Sequence, residues 1–291
     1  MKLTELLQSN RPTVSCELFP PKPGTALLDA PSVVRRMAAL HPAYMSVTCS
    51  AGGSGNGGVT TADMANEVQN INGITALAHL TCVAATRDEV RASLEDLKKL
   101  GIENILALRG DLPRDGAFPH PDDKFQHAAG LIELLKESGD FCIGGACYPE
   151  GHPESATLYE DIDNLKYKVD AGCEFLTTQM FFDNNELYSY LYKLRRSGID
   201  IPVIAGIMPV TNASQIKRIM SLSGSQLPAR FRAIIDRFAD NPAAVKQAGI
   251  AYATEQIIDL LANGVDHVHI YTMNKPEIAG SIMANLSEIL Q

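Results

Sequence analysis

A single carboxylate, Glu17, stands inside the apolar run Val14-Ser15-Cys16-Glu17-Leu18-Phe19, which ends at the Pro20-Pro21 pair. An unpaired charge in such a run is costly to bury, so the group must be paired or protonated. Desolvation raises a carboxyl pKa. A general acid works best with a pKa near the working pH. Glu17 is therefore a candidate proton donor.

Polar residues with chemical potential also close the later apolar runs. Thr48 and Cys49 end "YMSVTC", and His79 and Thr81 lie in "ALAHLTC". Arg109, Gly110 and Asp111 end "ILALRGDLP", and Tyr148, Glu150 and His152 lie in "CYPEGHPE". Gln179 lies in "TTQMFFD", Met208-Pro209 ends the seventh run, and Tyr271, Asn274 and Lys275 close "HIYTMNK". Each has a plainer reading. Arg109 and Asp111 would make a structural ion pair, and His79 a satisfied core histidine. Gln179 is harder to set aside, because a buried amide needs several hydrogen-bond partners. His267 and His269 share one strand face; with no third ligand in a recognisable motif they read as polar packing, not a metal site.

The elements that must position these residues repeat one phrase: an amphipathic helix, a glycine, one or two polar residues, then an apolar strand. It recurs as "LKKLGIENILALRGD", "LKESGDFCIGGACYPE", "KVDAGCEFLTTQMFF", "KLRRSGIDIPVIAGIMP" and "LLANGVDHVHIYTMN". Gly101, Gly139, Gly172, Gly198 and Gly264 occupy the position where a helix end favours a left-handed residue. Thr86 and Glu89 have capping-box spacing. Eight strands are predicted near 13–19, 44–50, 74–82, 104–110, 142–149, 174–181, 202–208 and 267–273, each followed by a helical pattern. Their near-continuous apolar character fits a parallel sheet covered on both faces. Eight such units predict a (β/α)₈ TIM barrel, one catalytic domain over residues 1–291, in preference to a doubly wound sheet. "LPARFRAIIDRFAD" and "PAAVKQAGIAYATEQIIDLLANG" read as extra helices between strands 7 and 8. Active sites of such barrels lie at the C-terminal strand ends, which is where the polar candidates concentrate.

Composition narrows the function classes. The 291 residues are 45% apolar and 20% charged, with 25 basic residues against 34 acidic ones and a net charge of −9. That balance argues against a nucleic-acid partner. No apolar run reaches membrane-span length, and the N-terminal "MKLTELLQSNRP" reads as a short amphipathic helix without a leader's apolar block. Cysteines 16, 49, 82, 142, 147 and 173 show no metal-type spacing and read as reduced core thiols of a cytoplasmic protein. No sixth-strand lysine offers a Schiff base, and no GxSxG, HExxH or P-loop occurs. "GSGNGG" (Gly53, Gly55, Gly58) spells GxGxxG. No acidic residue follows at the end of the third strand, so it reads as a glycine-rich loop over the barrel mouth.

The segments "SCELFPPK", "SVT", "AHLTC", "ALRGDLP", "YPEGHPE", "NLKYKVDAG", "TTQMFFD", "GIMPVTN" and "HIYTMNKPE", in this order over nearly the whole chain, resemble the bacterial type of methylenetetrahydrofolate reductase. The resemblance implies a flavin enzyme of one-carbon metabolism and methionine biosynthesis. It would reduce 5,10-methylenetetrahydrofolate to 5-methyltetrahydrofolate with FAD and with NADH or NADPH, in ping-pong fashion. It also implies a homo-oligomer and, in some members, a partner electron-transfer protein.

By the same resemblance Glu17 is the general acid, Asp111 tunes the reaction between flavin and pterin, and Gln179 contacts folate and nicotinamide. Thr48 matches a nicotinamide contact, and Gln215 and Lys275 match folate contacts. FAD is expected at Cys49, Ala51, His79, Arg109, Gly110, Asp111, Ala128, Tyr148, His152, Asp161, Asn164, Tyr167 and Lys168, with Arg109, His152 and Lys168 suited to the pyrophosphate. This chain departs from the family at "SAGGSGNGGVTT", where charged residues are usual. It departs also at Ile219 for a folate-stacking phenylalanine, at Lys275 for an arginine and at His127 for a tyrosine near the flavin. The rival readings are a non-redox pterin-binding barrel methyltransferase and a flavin- or folate-binding subunit fed by a partner protein.

Overall fold

Alternate residues of every strand carry side chains to opposite faces, and in this chain both faces find apolar cover. The computed structural model describes residues 1–9, 11–21, 30–49, 59–111, 125, 127–214, 216, 220 and 225–291. Eight strands close into a barrel: β1 (Thr13–Leu18), β2 (Met45–Val47), β3 (Ala76–Thr81), β4 (Asn104–Leu108), β5 (Cys142–Cys147), β6 (Phe175–Thr178), β7 (Val203–Ile207) and β8 (His267–Ile270). Each pairs in parallel with its sequence neighbour, and β1 pairs with β8. The chain is thus the (β/α)₈ barrel that the repeating phrase predicts.

One parity faces the helices. Val14, Cys16 and Leu18, Met45 and Val47, and Ile105 and Ala107 belong to the large core between strands and helices. The other parity fills the barrel. Leu77, Leu106, Cys142, Phe175 and Ile204 pack with Leu3, Leu7 and Tyr44 in a separate cluster. The N-terminal helix α1 (Leu3–Leu7) therefore stops one end of the barrel. The buried Asn104 pins it: Oδ1 accepts from the Leu3 N–H at 2.8 Å, and Nδ2 donates to the carbonyls of Met1 (3.1 Å) and Ala76 (3.2 Å). Asn104→Ala strands the Leu3 N–H and both carbonyls. It is expected to cost about 2–3 kcal/mol in a denaturant titration. A loss below about 0.5 kcal/mol would mean that the stopper contributes little to the fold.

Further α-helices among the described residues are α2 (Ala30–Ala38), α3 (Thr61–Asn66), which runs on into a π-helical turn over Glu67–Ile71, α4 (Arg87–Lys99), α5 (Ala128–Ser138), α6 (Leu158–Asp170), α7 (Asn184–Arg196), α8 (Ala229–Phe238), α9 (Pro242–Ala262) and α10 (Pro276–Asn285). The capping box of α4 forms: the Thr86 Oγ1 accepts from the Glu89 N–H at 3.3 Å, and the Glu89 carboxylate accepts from the Thr86 N–H at 2.8 Å. Gly101, Gly198 and Gly264 are left-handed, with φ of 70°, 77° and 77°. Gly139 departs from that expectation. It is near-extended (φ 159°, ψ −174°), because the chain leaves α5 directly for β5.

Helices α8 and α9 are the two extra helices between β7 and β8. Phe231 of α8 stacks on Tyr252 of α9 at 3.8 Å, and the pair joins Phe182, Met208 and Val210 in a third apolar cluster beyond the C-terminal ends of β6 and β7. The strands stop one to three residues short of their predicted C-terminal ends. Past those points the chain leaves the ladder, as at Gly110, whose φ is 88°. Among the described residues no helix is long and apolar enough to cross a membrane.

Candidate active site

A cavity of about 290 Å³ opens inside the C-terminal half of the barrel. It has an apolar floor of Leu77 and Leu106, and its polar lining includes Glu17, His79, Tyr148, Gln179, His269 and Tyr271, all on the inward parity or one step beyond a strand end. Two inward glycines make room for large neighbours. A Cβ on Gly144 would lie 2.3 Å from the Phe175 ring, and one on Gly206 would lie 2.5 Å from the Tyr271 hydroxyl. Tyr271 therefore reaches across the barrel and donates to the Thr178 carbonyl.

Glu17 is half-buried in this cavity, and burial pushes its carboxyl up to about 8. Among the described residues no hydrogen bond or ion pair engages that carboxyl. Burial also pushes His79 down to about 4 and His269 down to about 3, so both rings are neutral at pH 7. Both ring nitrogens of His269 are engaged by hydroxyls. The Ser15 hydroxyl lies 2.7 Å from the His269 Nδ1 and 3.0 Å from the Val268 carbonyl. Nε2 pairs with the Ser46 hydroxyl at 3.0 Å. His267 is likewise engaged, by the Thr13 hydroxyl at 2.9 Å and the Leu7 carbonyl at 2.9 Å. The two β8 histidines are polar packing, as their lack of a third ligand suggests. Among the described residues no group of three His, Cys, Asp or Glu side chains is placed to hold a metal.

Two buried polar atoms near the cavity lack a partner among the described residues: the His79 Nε2 and the Thr177 Oγ1. A native structure rarely leaves such atoms unpaired, so they mark where a ligand would supply the missing hydrogen bonds. Gln179 accepts from the Met180 N–H through Oε1 at 2.8 Å, and among the described residues nothing takes the donors on its Nε2.

Beside the cavity, Arg109, His152 and Lys168 gather at the exits of β4 and β5 and on α6, with Glu154 and Asp161 as counter-charges. Arg109 does not pair with Asp111. Its guanidinium grips both oxygens of Glu154, at 2.7 and 2.6 Å, and that contact raises its pKa. Glu154 is the functional-region residue that motif reading missed; the acidic end of "YPEGHPE" was the available signal. Tyr148 meets the His152 ring edge-on at 4.6 Å, and burial pushes its hydroxyl up to about 12. The Lys168 ammonium donates to the Ala146 carbonyl at 2.9 Å, and burial lowers its pKa. The buried Asp161 carboxyl is raised, also by burial.

Other predicted site residues lie around the rim. Thr48 and Cys49 follow β2, where the Cys49 Sγ accepts from the Thr81 hydroxyl at 3.3 Å. Gly110 turns the β4 exit, and Asp111 is exposed there and does not line the cavity. Ala128 is buried at the start of α5, beside the exposed His127. Asn164 and Tyr167 are exposed on α6. Lys275 approaches the Thr211 hydroxyl at 3.3 Å. Ala51, Gln215 and Ile219, with the "GSGNGG" segment, lie outside the described residues.

A family model described as methylenetetrahydrofolate reductase matches residues 2–287. The 5,10-methylenetetrahydrofolate reductase of Pectobacterium carotovorum subsp. carotovorum is 34% identical over 278 residues, which cover 95% of this chain and 90% of that protein. The Escherichia coli (strain K12) protein of the same name is 35% identical over 275 residues, covering 94% and 90%. Methylenetetrahydrofolate reductase (NADH) 1 of Zea mays is 34% identical over 306 residues, covering 99% of this chain but 50% of the plant protein. Among solved structures, an uncharacterized Clostridium thermocellum protein that binds two copies of 5-methyl-5,6,7,8-tetrahydrofolic acid superposes with a TM-score of 0.64 over 99% of both chains. At 14% identity that likeness establishes the shared fold.

Proposed function

The chain belongs to the methylenetetrahydrofolate reductase family, an oxidoreductase family, and from that premise we propose that it converts 5,10-methylenetetrahydrofolate to 5-methyltetrahydrofolate in the β-barrel cavity, with FAD as cofactor, NADH or NADPH as hydride source and Glu17 as general acid. The observation that carries this reading is the state of Glu17. It is the one ionisable carboxyl lining the cavity among the described residues, it has no partner there, and its pKa of about 8 keeps it protonated at neutral pH.

The residues present fit a flavin. The unpaired His79 Nε2 and Thr177 Oγ1 offer hydrogen bonds to a planar polar ring system, and Arg109, His152 and Lys168 cluster beside the cavity for an anionic pyrophosphate. Thr48, Cys49, Gly110, Ala128, Tyr148, Asp161, Asn164 and Tyr167 extend that surface from the β2 rim to α6. FAD, when bound, supplies the two-electron redox chemistry that no side chain in the cavity can perform.

The protein's share is binding and protonation. The five-membered ring of the substrate opens only if N10 leaves as a neutral amine. The Glu17 carboxyl holds the proton N10 needs, in a site dry enough to keep it bound at pH 7. The Gln179 Nε2 donors suit pterin oxygen or nitrogen atoms, and the neutral histidines add no competing charge. Asp111, at the exposed end of β4, places one negative charge near the opening, and Lys275 offers a cation to the substrate's glutamate tail. The five buried cysteines are free thiols, which suits a reducing cytoplasm.

The test is a pair of half-reactions on the purified protein supplied with FAD. NADH or NADPH is expected to bleach the yellow protein anaerobically, and 5,10-methylenetetrahydrofolate to restore the colour with 5-methyltetrahydrofolate as product. A protein that takes up no FAD, or one that binds folate without recolouring, would sink the reductase reading.

A further inference from the structure

The hydrogen-bonded ladder between β1 and β8 runs from Thr13↔His267 to Cys16↔Ile270 and stops one residue before Glu17. On its other side β1 stays paired through Glu17↔Ser46 and Leu18↔Val47. Past the ladder's end, Met273 and Asn274 of the β8 chain are both left-handed, with φ of 52° and 54°. Residues with a Cβ seldom adopt that region, and two in succession are less common still. Such outliers persist where the surroundings hold them, and they often mark functional positions.

What holds them is the exit of β1. The Asn274 Oδ1 accepts from the Phe19 N–H at 3.0 Å, and its Nδ2 donates to the Phe19 carbonyl at 2.8 Å. The side-chain amide thus takes the place of a peptide group in the missing ladder. Two residues earlier in the turn, the Thr272 hydroxyl donates to the carbonyl of Glu17 itself. Side chains of a strained segment therefore fix both the residue that carries the acid and the one two positions on, past the point where backbone pairing ends.

We propose that Asn274, assisted by Thr272, is a positioning residue that holds the Glu17 carboxyl in the cavity. This rests on the reading of Glu17 as the acid of a folate reductase. The titratable groups that face Glu17 across the cavity are His79 from β3, Tyr148 from the β5 exit, and His269 and Tyr271 from β8; no Lys, Arg or Asp lines it among the described residues. If the β1 exit loosens, the carboxyl gains access to water and its titration moves toward the ordinary carboxylate range.

The test uses N274G and T272V. Glycine accepts the left-handed backbone without strain, so N274G removes the amide pin while leaving the turn intact. In FAD-loaded protein with ¹³C-labelled glutamate, the carboxyl signal absent from E17Q reports Glu17. Its titration midpoint is expected to fall in N274G, and by less in T272V. The kcat for methylenetetrahydrofolate is expected to fall about tenfold or more in N274G, as a misplaced group would cause. Turnover of NADH with an artificial acceptor stays within about twofold, because Glu17 serves only the folate step. A folded N274G whose Glu17 titrates as in wild type overturns the positioning role. If the midpoint falls but wild-type protein reduces no folate, the clamp stands and the reductase reading fails.

Discussion

Replacing Glu17 by glutamine is expected to lower methylenetetrahydrofolate reduction by about 10³-fold, as loss of a general acid does, while transfer of reducing equivalents from NADH to an artificial acceptor survives. The amide keeps the shape and loses the proton. A second consequence runs in the opposite direction. The native pKa of about 8 lies above the ordinary carboxyl value near 4.3. Between these two pH values the folded protein binds the proton more tightly than the unfolded chain, so wild-type stability falls as pH rises through that window and levels off above it. Glutamine does not titrate, and E17Q should therefore be the more stable protein at pH 8.5. The advantage is about 2–3 kcal/mol after allowing for partial exposure, and it vanishes near pH 4. Urea titrations of both proteins at the two pH values measure it. Equal midpoints throughout would show that Glu17 is not desolvated, and retained folate turnover would remove it as the acid.

The strands were legible because a parallel barrel is covered on both faces, so each appears as a continuous apolar run ended by turn residues. That same continuity hides which parity faces inward. Nothing in Cys142-Ile143-Gly144-Gly145-Ala146-Cys147 says that Gly144 lies inside, against the Phe175 ring; only closure of the barrel decides it. Strand ends were overestimated for a related reason. Residues such as Leu108-Arg109 or Ile270-Tyr271 suit a strand locally, yet the regular ladders end at Leu108 and Ile270.

Within the site, residues at strand ends could be found by position alone, since a barrel collects them at one rim. Pairings between loops could not. Arg109 and Glu154 are 45 residues apart and meet only because the "YPEGHPE" loop folds back over the β4 exit, whereas Asp111 was nearer in sequence and equally acidic. The metal-or-packing choice for His267 and His269 turned on hydroxyls from β1, which pairs with β8, and from β2, one strand further round the closed barrel. Asn274 looked like one more polar residue at the end of strand 8. Its part in holding Glu17 depends on two left-handed residues that no local pattern announces.

Gly249→Ala is expected to destabilise the protein by about 3 kcal/mol or more, although the same change in an open helix stabilises by close to 1 kcal/mol. Helix α9 crosses the β7 exit so closely at Gly249 that an added Cβ would stand 1.7 Å from the Val210 carbonyl oxygen and 2.7 Å from its carbon. Those are backbone atoms, so no rotamer change relieves the contact; α9 must move off the barrel. It would carry Val245 and Tyr252 out of the cluster with Met208, Val210 and Phe231, and Met208 also lines the cavity. Two hydrogen bonds would stretch with it: Tyr252 Oη to the Phe182 carbonyl at 2.6 Å, and Gln256 Nε2 to the Phe181 carbonyl at 3.0 Å. Gly130→Ala in α5 is the matched control. Among the described residues its Cβ would meet only the Phe125 side chain, at 3.3 Å, and its stability should stay within about 1 kcal/mol of wild type. Thermal unfolding of the two variants is expected to separate them by about 6 °C or more. If Gly249→Ala melts with wild type, α9 does not rest on the barrel at this point, and the cover it gives the cavity wall at Met208 goes with it.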